Sequence, residues 1–468
     1  MKNQNNDRHL AAVILAAGQG TRMKSERPKV LHEVAGRALV RYPAGLAREL
    51  CCEPRVLVVG HGAEAVREAM ATEDLRFALQ EEQLGTGHAL LSAGDVLEDF
   101  SGTLLLLSGD VPLLRRRTLE RLLDYHRAQQ AAVTVLTAEL SDPHGYGRIV
   151  RDGDEVLRIV EEKDASAREK QIREINTGIY AFEAPFVFEA LRTVGRDNAQ
   201  GEYYLTDVLA AARRDGRKVC ALTAGEAEES MGINDRVQLA RAEAVMRRRI
   251  NDSLMRAGVT LVDPETTYIE AEVVVAPDTV IHPGVHLQGA TRVGRQCVIE
   301  PGVIVRDCVI GDRVRLKAGS VLEESQLGED CAIGPMAHLR PGTVLAGNNK
   351  LGNFVETKKA LIGRGSQASH LTYIGDAEVG TGVNIGCGTI TCNYDGTRKY
   401  KTIIEDDVFV GSDTQFVAPV RIGRNSLIGA GSTITRDVPA DALALSRVEQ
   451  KVIEGWRLRK KGKSREKK

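Results

Sequence analysis

The stretch Thr402–Thr435, "TIIEDDVFVGSDTQFVAPVRIGRNSLIGAGSTIT", decides the fold of the second half of this chain. Large apolar residues stand at every sixth position: Ile404, Val410, Phe416, Ile422, Ile428 and Ile434. Glycine or a small polar residue follows four of the six. A period of six suits neither an amphipathic helix nor a simple alternating strand. It is the mark of hexapeptides wound into a parallel β-helix, three to a triangular coil of about eighteen residues. The aliphatic residue points inward and stacks on its equivalent in the next coil. One coil cannot bury that face alone, so the coils must stack.

Upstream, the same step links Ile310, Leu316 and Leu322, then Ile333, Leu339, Leu345 and Leu351. After a phase shift it continues through Ile362, Ala368 and Ile374. It breaks at Thr391–Thr402, "TCNYDGTRKYKT". Insertions in solenoids fall in loops, often on a binding face. This loop is either the wall of a site or a merely tolerated insertion.

The first half reads differently. Apolar runs such as "AAVILAAG", "RVLVVGHG", "TLLLLSGD" and "AAVTVLTAEL" alternate with helical stretches such as "RRTLERLLDYHRAQQ". Leu119, Leu122, Leu123 and His126 lie at helical spacing in the last of these. Buried continuous strands separated by helices predict a mostly parallel sheet with helices on both faces, an α/β domain that binds ligands beyond the carboxyl ends of its strands. Residues 234–258 read as one long helix with an apolar stripe at Leu239, Val245, Met246, Ile250 and Leu254. Asn234 or Asp235 could cap its start, and Gly258 could end it.

A strand-to-helix loop, "VILAAGQGTRMKSERPK" (Val13–Lys29), follows the first apolar run. It lacks the third glycine of a dinucleotide fingerprint and the spacing of a Walker loop. Its glycines still let backbone N–H groups turn toward a phosphate, and Arg22 and Lys29 add positive charge. The loop reads as a phosphate cradle of a third kind, or else as an ordinary tight turn.

Charge is balanced, 63 Lys and Arg against 64 Asp and Glu, which argues against a nucleic-acid binder working through a large basic field. No apolar run approaches the roughly 20 residues that span a bilayer. The start, "MKNQNNDRHL", has no apolar signal-peptide core. Eight scattered cysteines read as reduced thiols rather than a disulfide pattern. The last ten residues, "RKKGKSREKK", read as a basic disordered tail.

"LAAGQGTRM…RPK" resembles the sugar-nucleotide pyrophosphorylase signature, and "EEQLGTGHA", "SGDVPL", "DPHGYGRIV", "EINTGIY" and "NAQGEYYLTD" follow in that family's order. With the hexapeptide half, the likeness covers nearly the whole chain and is to the GlmU family. Its members are N-acetylglucosamine-1-phosphate (GlcNAc-1-phosphate) uridyltransferases and glucosamine-1-phosphate N-acetyltransferases in one chain. The resemblance implies a Rossmann-like pyrophosphorylase domain over 1–234, a linker helix over 235–258, and a left-handed parallel β-helix with a basic tail over 259–468. It also implies a cytoplasmic homotrimer that makes UDP-GlcNAc, with no nucleic acid and no membrane span involved.

For uridyl transfer, the resemblance places Leu15, Ala16, Ala17 and Gly18 along UTP, and Arg22 and Lys29 on its phosphates. Gln80, Gly85 and Thr86 fall at the uracil positions. Asp110 and Asn234 fall at the Mg2+ positions, although a lone Asp after a strand is as often a turn residue and Asn234 could be a helix cap. Gly147, Glu161 and Asn176 match the sugar positions. Ser108 and Gly109 complete the nucleotide set, with Ser108 standing where the family commonly has tyrosine.

For acetyl transfer from acetyl-CoA, His370 in "ASHLTYIGD" matches the catalytic base. An amine must lose a proton before attacking a thioester, and an imidazole suits that task. Arg340, Lys358 and Tyr373 match the sugar-phosphate clamp, and Asn384, Asn393 and Tyr394 match further substrate and acetyl-CoA positions. Ser412, Ala430 and Arg447 match coenzyme A contacts. Cys387 stands where alanine is usual, a side chain small enough to admit the cofactor and one expected to make the site sensitive to thiol reagents. Two rival readings are a monofunctional sugar-nucleotide pyrophosphorylase with a regulatory β-helix, and a non-enzymatic hexapeptide scaffold.

Overall fold

Leu10–Ala16 forms β1, the strand on which the first half is built, in a computed structural model that describes residues 9–459. Most of the basic tail and of the "MKNQNNDRHL" start, and with them those two expectations, lie outside the described residues. The chain divides into two compact units, 1–249 and 250–468, and the division falls inside one helix.

In the main sheet of the first unit, the strands after β1 are β2 (Arg55–Val59), β3 (Arg76–Leu79), β4 (Thr103–Ser108) and β5 (Val133–Glu139). They are followed by β6 (Arg148–Asp152), β7 (Glu155–Val160), β8 (Glu174–Glu183) and β9 (Val219–Thr223). The sheet order is β9-β5-β8-β4-β1-β2-β3, with the β6–β7 hairpin attached through β8. Pairs along β1, β2, β3 and β4 are parallel, as is β9 with β5. Inside this frame β8 runs antiparallel to both β4 and β5. The predicted mostly parallel sheet therefore has one reversed strand in its interior.

Both faces of the sheet are covered, which explains the continuous apolar runs. Val13, Val58, Leu104, Leu106 and Phe182 pack on one side with helices α3 (Thr86–Leu91), α5 (Ala184–Thr193) and α6 (Asp207–Arg214). Ile14, Leu57, Leu105 and Leu107 pack on the other with α1 (Arg41–Glu49), α2 (Ala63–Ala69) and α4 (Arg116–Gln129). Burying each such side chain is worth about 1.5–3 kcal/mol. His126 belongs to this core, with Nδ1 2.8 Å from Thr134 Oγ1, and burial pushes its pKa down to about 4.

Helix α7 (Arg236–Arg256) begins at Asp235, whose carboxylate accepts the Gln238 N–H at 2.8 Å. The Gln238 side chain reaches back to accept the Asn234 N–H at 2.7 Å. Asp235 is thus the cap, and the Asn234 side chain is free for other work. Gly258, at φ 96°, ends the helix.

The second unit is a parallel β-helix of 26 strands between Thr260 and Ala444, all of two or three residues except Lys350–Ile362 and Gln367–Val379, which run thirteen each. Register partners lie 18 residues apart in the full-length coils, as Tyr268 with His286 and Phe409 with Leu427. Where the hydrophobic period slips, partners lie 17 apart, as Arg292 with Val309 and Lys350 with Gln367. The coil holding Thr391–Thr402 is longer, and there Asn384 pairs with Phe409. The inward aliphatic positions of the repeat form one continuous core, with Ile404, Val410, Phe416, Ile422, Ile428 and Ile434 all buried.

Candidate active sites

The carboxyl ends of β1 and β4 open into a cleft of about 450 Å³. Leu15 to Gly18, Lys29, Gln80, Gly85, Thr86, Ser108 and Asp110 line it, joined by Gln83 and Glu202. Two glycines shape the loop for different reasons. Gly20 sits at φ 61°, and a Cβ there would lie 2.6 Å from Lys29 Cβ, so only glycine lets Lys29 approach. A Cβ on Gly18 would meet nothing within 4 Å. The fold does not need that glycine, and its bareness leaves cleft space for a ligand. Arg22 is exposed on the turn Thr21–Met23, outside the residues lining the cleft.

Lys29 Nζ lies 2.5 Å from Asp110 Oδ2 and 3.2 Å from Asn234 Oδ1. The Asp110 carbonyl accepts the Ile233 N–H at 3.0 Å, which ties the end of β4 to the start of α7. Gly109 allows the turn, because a Cβ there would stand 2.9 Å from the Leu15 carbonyl. Two hard oxygens therefore converge on one cation.

Gly147, Glu161 and Asn176 form a second cluster. The Asn176 N–H donates to the Gly147 carbonyl at 2.8 Å, and a Cβ on Gly147 would lie 3.3 Å from both Glu161 oxygens. Asn176 stands at a bulge in β8 where the register shifts before Tyr180. Its Oδ1 accepts the Gly178 N–H at 3.0 Å and the Tyr180 hydroxyl at 2.8 Å, leaving Nδ2 to donate outward. Burial pushes the Glu161 carboxyl up to about 6, and Asp164, Asp207 and Glu202 push in the same direction. Because Glu202 also lines the cleft, the two clusters adjoin. Tyr146, on the loop before Gly147, has its phenol raised mainly by burial, and it also feels Gly232, Asp110 and Arg22.

In the β-helix, His370 pairs in register with Asn353, and His370 Nδ1 lies 2.7 Å from Asn353 Oδ1. An amide oxygen accepts, so Nδ1 carries the proton and Nε2 is left as the basic nitrogen. The ring is exposed. Lys358 pairs with Gly375 and Tyr373 with Glu356 on the same two coils. Arg340, one coil earlier, donates through Nη1 to Glu356 Oε1 at 2.8 Å. The Lys399 ammonium, and then the Arg340 guanidinium, hold Lys358 below the usual lysine range.

The loop Thr391–Thr402 folds back on itself, with Tyr394 bridged to Lys399 and Asp395 Oδ1 accepting the Thr397 and Arg398 N–H groups. Asn393 is nearly buried and donates to Asp376 Oδ2, whereas Tyr394 is 59% exposed. Asn384 Oδ1 accepts from Gln367 at 3.1 Å, and Gln367 begins the strand that carries His370. Cys387, Ser412, Ala430 and Arg447 line one edge of the prism in successive coils. The Cys387 carbonyl accepts the Asp413 N–H, Ser412 O accepts the Gly431 N–H, and Ala430 O accepts Arg447 Nη1 at 2.9 Å.

Family models match along the chain. A MobA-like NTP transferase domain covers residues 12–174, a GMPPB C-terminal domain covers 269–363, and a bacterial transferase hexapeptide of six repeats covers 401–436. The bifunctional protein GlmU of Syntrophotalea carbinolica is 71% identical over 450 residues, 96% of this chain and 97% of that protein. That of Pelobacter propionicus is 59% identical over 97% of this chain and 100% of its own length. That of Halalkalibacterium halodurans is 51% identical over 94% and 96%. The chain belongs to the GlmU family.

GlmU membership fixes the fold class, a Rossmann-like nucleotidyltransferase half followed by a left-handed parallel β-helix. Several residues beside these sites escaped a sequence reading of a GlmU chain. Lys399 is one charge of the run "RKYK" in the sequence, and only the hairpin through Tyr394 brings it to Lys358. Asn353 is 17 residues from His370, one short coil, a spacing the phase shift in the repeat could have revealed. Arg148, 1% exposed, hooks the Gly147 loop from beneath. It donates to the Tyr146 carbonyl and, at 2.7 Å, to Glu162 Oε2, which also accepts the Gly145 N–H.

Proposed function

We propose that this enzyme carries out its two reactions at two separate sites, with residues 1–234 as the uridyltransferase domain, 235–258 as a linker helix and 259–468 as the acetyltransferase domain. The product is UDP-GlcNAc. Glucosamine-1-phosphate is first N-acetylated by acetyl-CoA, and GlcNAc-1-phosphate then takes the uridylyl group of UTP and releases pyrophosphate.

In the nucleotide cleft, Gln80, Gly85 and Thr86 receive the uracil, and Leu15 to Gly18 run along the nucleotide beside Ser108 and Gly109. Gly147, Glu161 and Asn176 hold the sugar, with Asn176 Nδ2 and the Glu161 carboxyl as donor and acceptor. A phosphate oxygen of the sugar attacks the α-phosphorus in line, and the bond to pyrophosphate breaks. Lys29 and Arg22 stabilise the leaving charge, and catalysis is mostly positioning and neutralisation. Asp110 and Asn234 suit Mg2+, because their oxygens already converge on a cation, the Lys29 ammonium. Bound there, Mg2+ would neutralise phosphate oxygens as negative charge builds on them.

In the β-helix, Arg340, Lys358 and Tyr373 clamp the sugar phosphate, and Lys399 adds a third cation. His370 Nε2 takes the proton from the 2-amino group, the amine nitrogen attacks the thioester carbonyl, and the thiolate of coenzyme A leaves and is protonated. Asn384, Asn393 and Tyr394 border the sugar and acetyl groups. Coenzyme A lies along the edge formed by Cys387, Ser412, Ala430 and Arg447.

The enzyme acts as a homotrimer in the cytoplasm. Met336, Phe354 and Leu371 stack at one corner of successive coils, 60%, 55% and 59% exposed, all at positive φ. Bulky residues in that conformation cost about 1–3 kcal/mol each, and a second copy of the chain covering the ridge would offset this beside His370. All eight cysteines are free, as in a reducing compartment. No helix among the described residues is long and apolar enough to cross a membrane.

The observation that carries this reading is the pairing of an oxygen-lined cation position at Asp110 and Asn234 with an oriented imidazole at His370. Asp110→Ala is expected to abolish uridyl transfer and spare acetylation, and His370→Ala to do the reverse. Loss of both activities from either change in a folded oligomer would overturn the division of labour.

A further inference from the structure

We propose that His88 locks the side-chain amide of Gln80 so that it offers the nucleobase an acceptor only, and thereby selects uracil over cytosine. The inference rests on the assignment of Gln80 to the uracil. Gln80 follows β3, is 3% exposed and lines the nucleotide cleft. Its Nε2 lies 3.1 Å from the Gly85 carbonyl oxygen and 3.1 Å from His88 Nδ1. A carbonyl oxygen can only accept, so the amide atom facing Gly85 is the NH2 group. The second hydrogen of that group points to His88 Nδ1, which is therefore the unprotonated ring nitrogen, with the proton on Nε2.

Both donors of the amide are then used. Oε1 takes no hydrogen bond from the described residues and is the one group of the Gln80 side chain left for a ligand. An acceptor matches the N3–H of uracil. At cytosine, N3 is a lone pair, and two acceptors would face each other in a site shielded from water. A glutamine free to turn over would serve both bases, because it could present Nε2 to cytosine instead. What forbids the turn is the fixed pair of acceptors, Gly85 O and His88 Nδ1.

The imidazole is itself held in place. It lies on α3 and stacks against Tyr203, ring centroids 6.1 Å apart, and the Arg196 guanidinium covers Tyr203 at 5.3 Å. His88 touches no substrate in this arrangement and is a positioning residue.

The test measures kcat/KM of the full-length enzyme for UTP, CTP and 5-methyl-UTP, which keeps N3–H. His88→Phe keeps a ring on Tyr203 and removes the acceptor, and His88→Asn returns an acceptor near the Nδ1 position. His88→Phe is expected to lower the UTP-to-CTP ratio by about ten- to hundredfold, the cost of a misplaced buried polar group. His88→Asn restores most of it, and the ratio of UTP to 5-methyl-UTP stays constant in both. An unchanged UTP-to-CTP ratio in His88→Phe overturns the proposal, as does an equal fall against 5-methyl-UTP. If His88→Phe does not fold by circular dichroism, His88→Leu is read in the same way. Failure of the wild-type enzyme to prefer UTP would instead count against the uracil assignment of Gln80.

Discussion

Lys29 and Asp110 form an ion pair of 2.5 Å at the mouth of the nucleotide cleft, with both side chains largely buried. The ammonium occupies the place where the Asp110 and Asn234 oxygens converge. A divalent cation must therefore displace it, and the incoming triphosphate supplies the ammonium with new partners. Lys29→Met is expected to raise the affinity of the nucleotide-free enzyme for Mn2+ about tenfold while raising KM for UTP. Electron paramagnetic resonance titration of free Mn2+ measures the first and steady-state kinetics the second. Weaker Mn2+ binding in the variant would contradict the competition.

Asn353 fixes the tautomer of His370 through its 2.7 Å contact. Asn353→Leu leaves the ring without an acceptor for Nδ1–H. We expect acetyl transfer to fall about ten- to hundredfold in kcat with little change in KM for glucosamine-1-phosphate. Asn353→Asp, which keeps an acceptor, recovers activity, and uridyl transfer is unaffected throughout. A change confined to KM would assign Asn353 to substrate binding instead.

Glu161 gives a pH dependence with a definite sign. Its carboxyl stands at about 6 in the folded chain against 4.5 for a free glutamate. The folded state holds this proton more tightly, so its contribution to stability is complete below pH 4.5 and is lost as pH rises through 6. Glu161→Gln removes that loss. The variant should gain about 1–2 kcal/mol over wild type on going from pH 4.5 to pH 8, read from urea melts. In the same range the ionised wild-type carboxyl becomes a better acceptor for sugar hydroxyls, so KM for GlcNAc-1-phosphate should fall with rising pH and stay flat in the variant.

The ridge of Met336, Phe354 and Leu371 predicts how assembly fails. Leu371→Asp places a charge beside two large exposed apolar groups. Light scattering should show smaller species at micromolar concentration, with acetyl transfer lost alongside and uridyl transfer kept. A variant that stays fully assembled would place the contact between copies elsewhere.

The β-helix was legible because its signal is repetitive: each aliphatic residue in the run from Ile404 to Ile434 has the same neighbours one coil away. The short coils were visible only as a phase slip, since a missing residue at a corner does not alter the residue types around it. The first half showed its strands but not the reversal of β8. Strand direction depends on distant pairing with β4 and β5, and the segment "EINTGIY" is equally apolar in either sense. The bulge at Asn176–Gly178 is similar, because its geometry follows from the Thr177 hydroxyl bonding to the Leu136 carbonyl at 2.7 Å, 41 residues away. The choice of cap between Asn234 and Asp235 turned on Gln238, whose role needs a helix already in place.

The edge carrying Cys387, Ser412, Ala430 and Arg447 advances by one coil per residue, and neighbouring strands lie about 4.8 Å apart. Such an edge is a ruler with even graduations, and three intervals measure about 14 Å. Removing one whole coil, the eighteen residues from Asp413 through Ala430, would leave the hydrophobic stacking continuous yet shorten the gauge by a single graduation. The length of cofactor arm that the enzyme accepts would then be set by counting coils, independently of any one side chain.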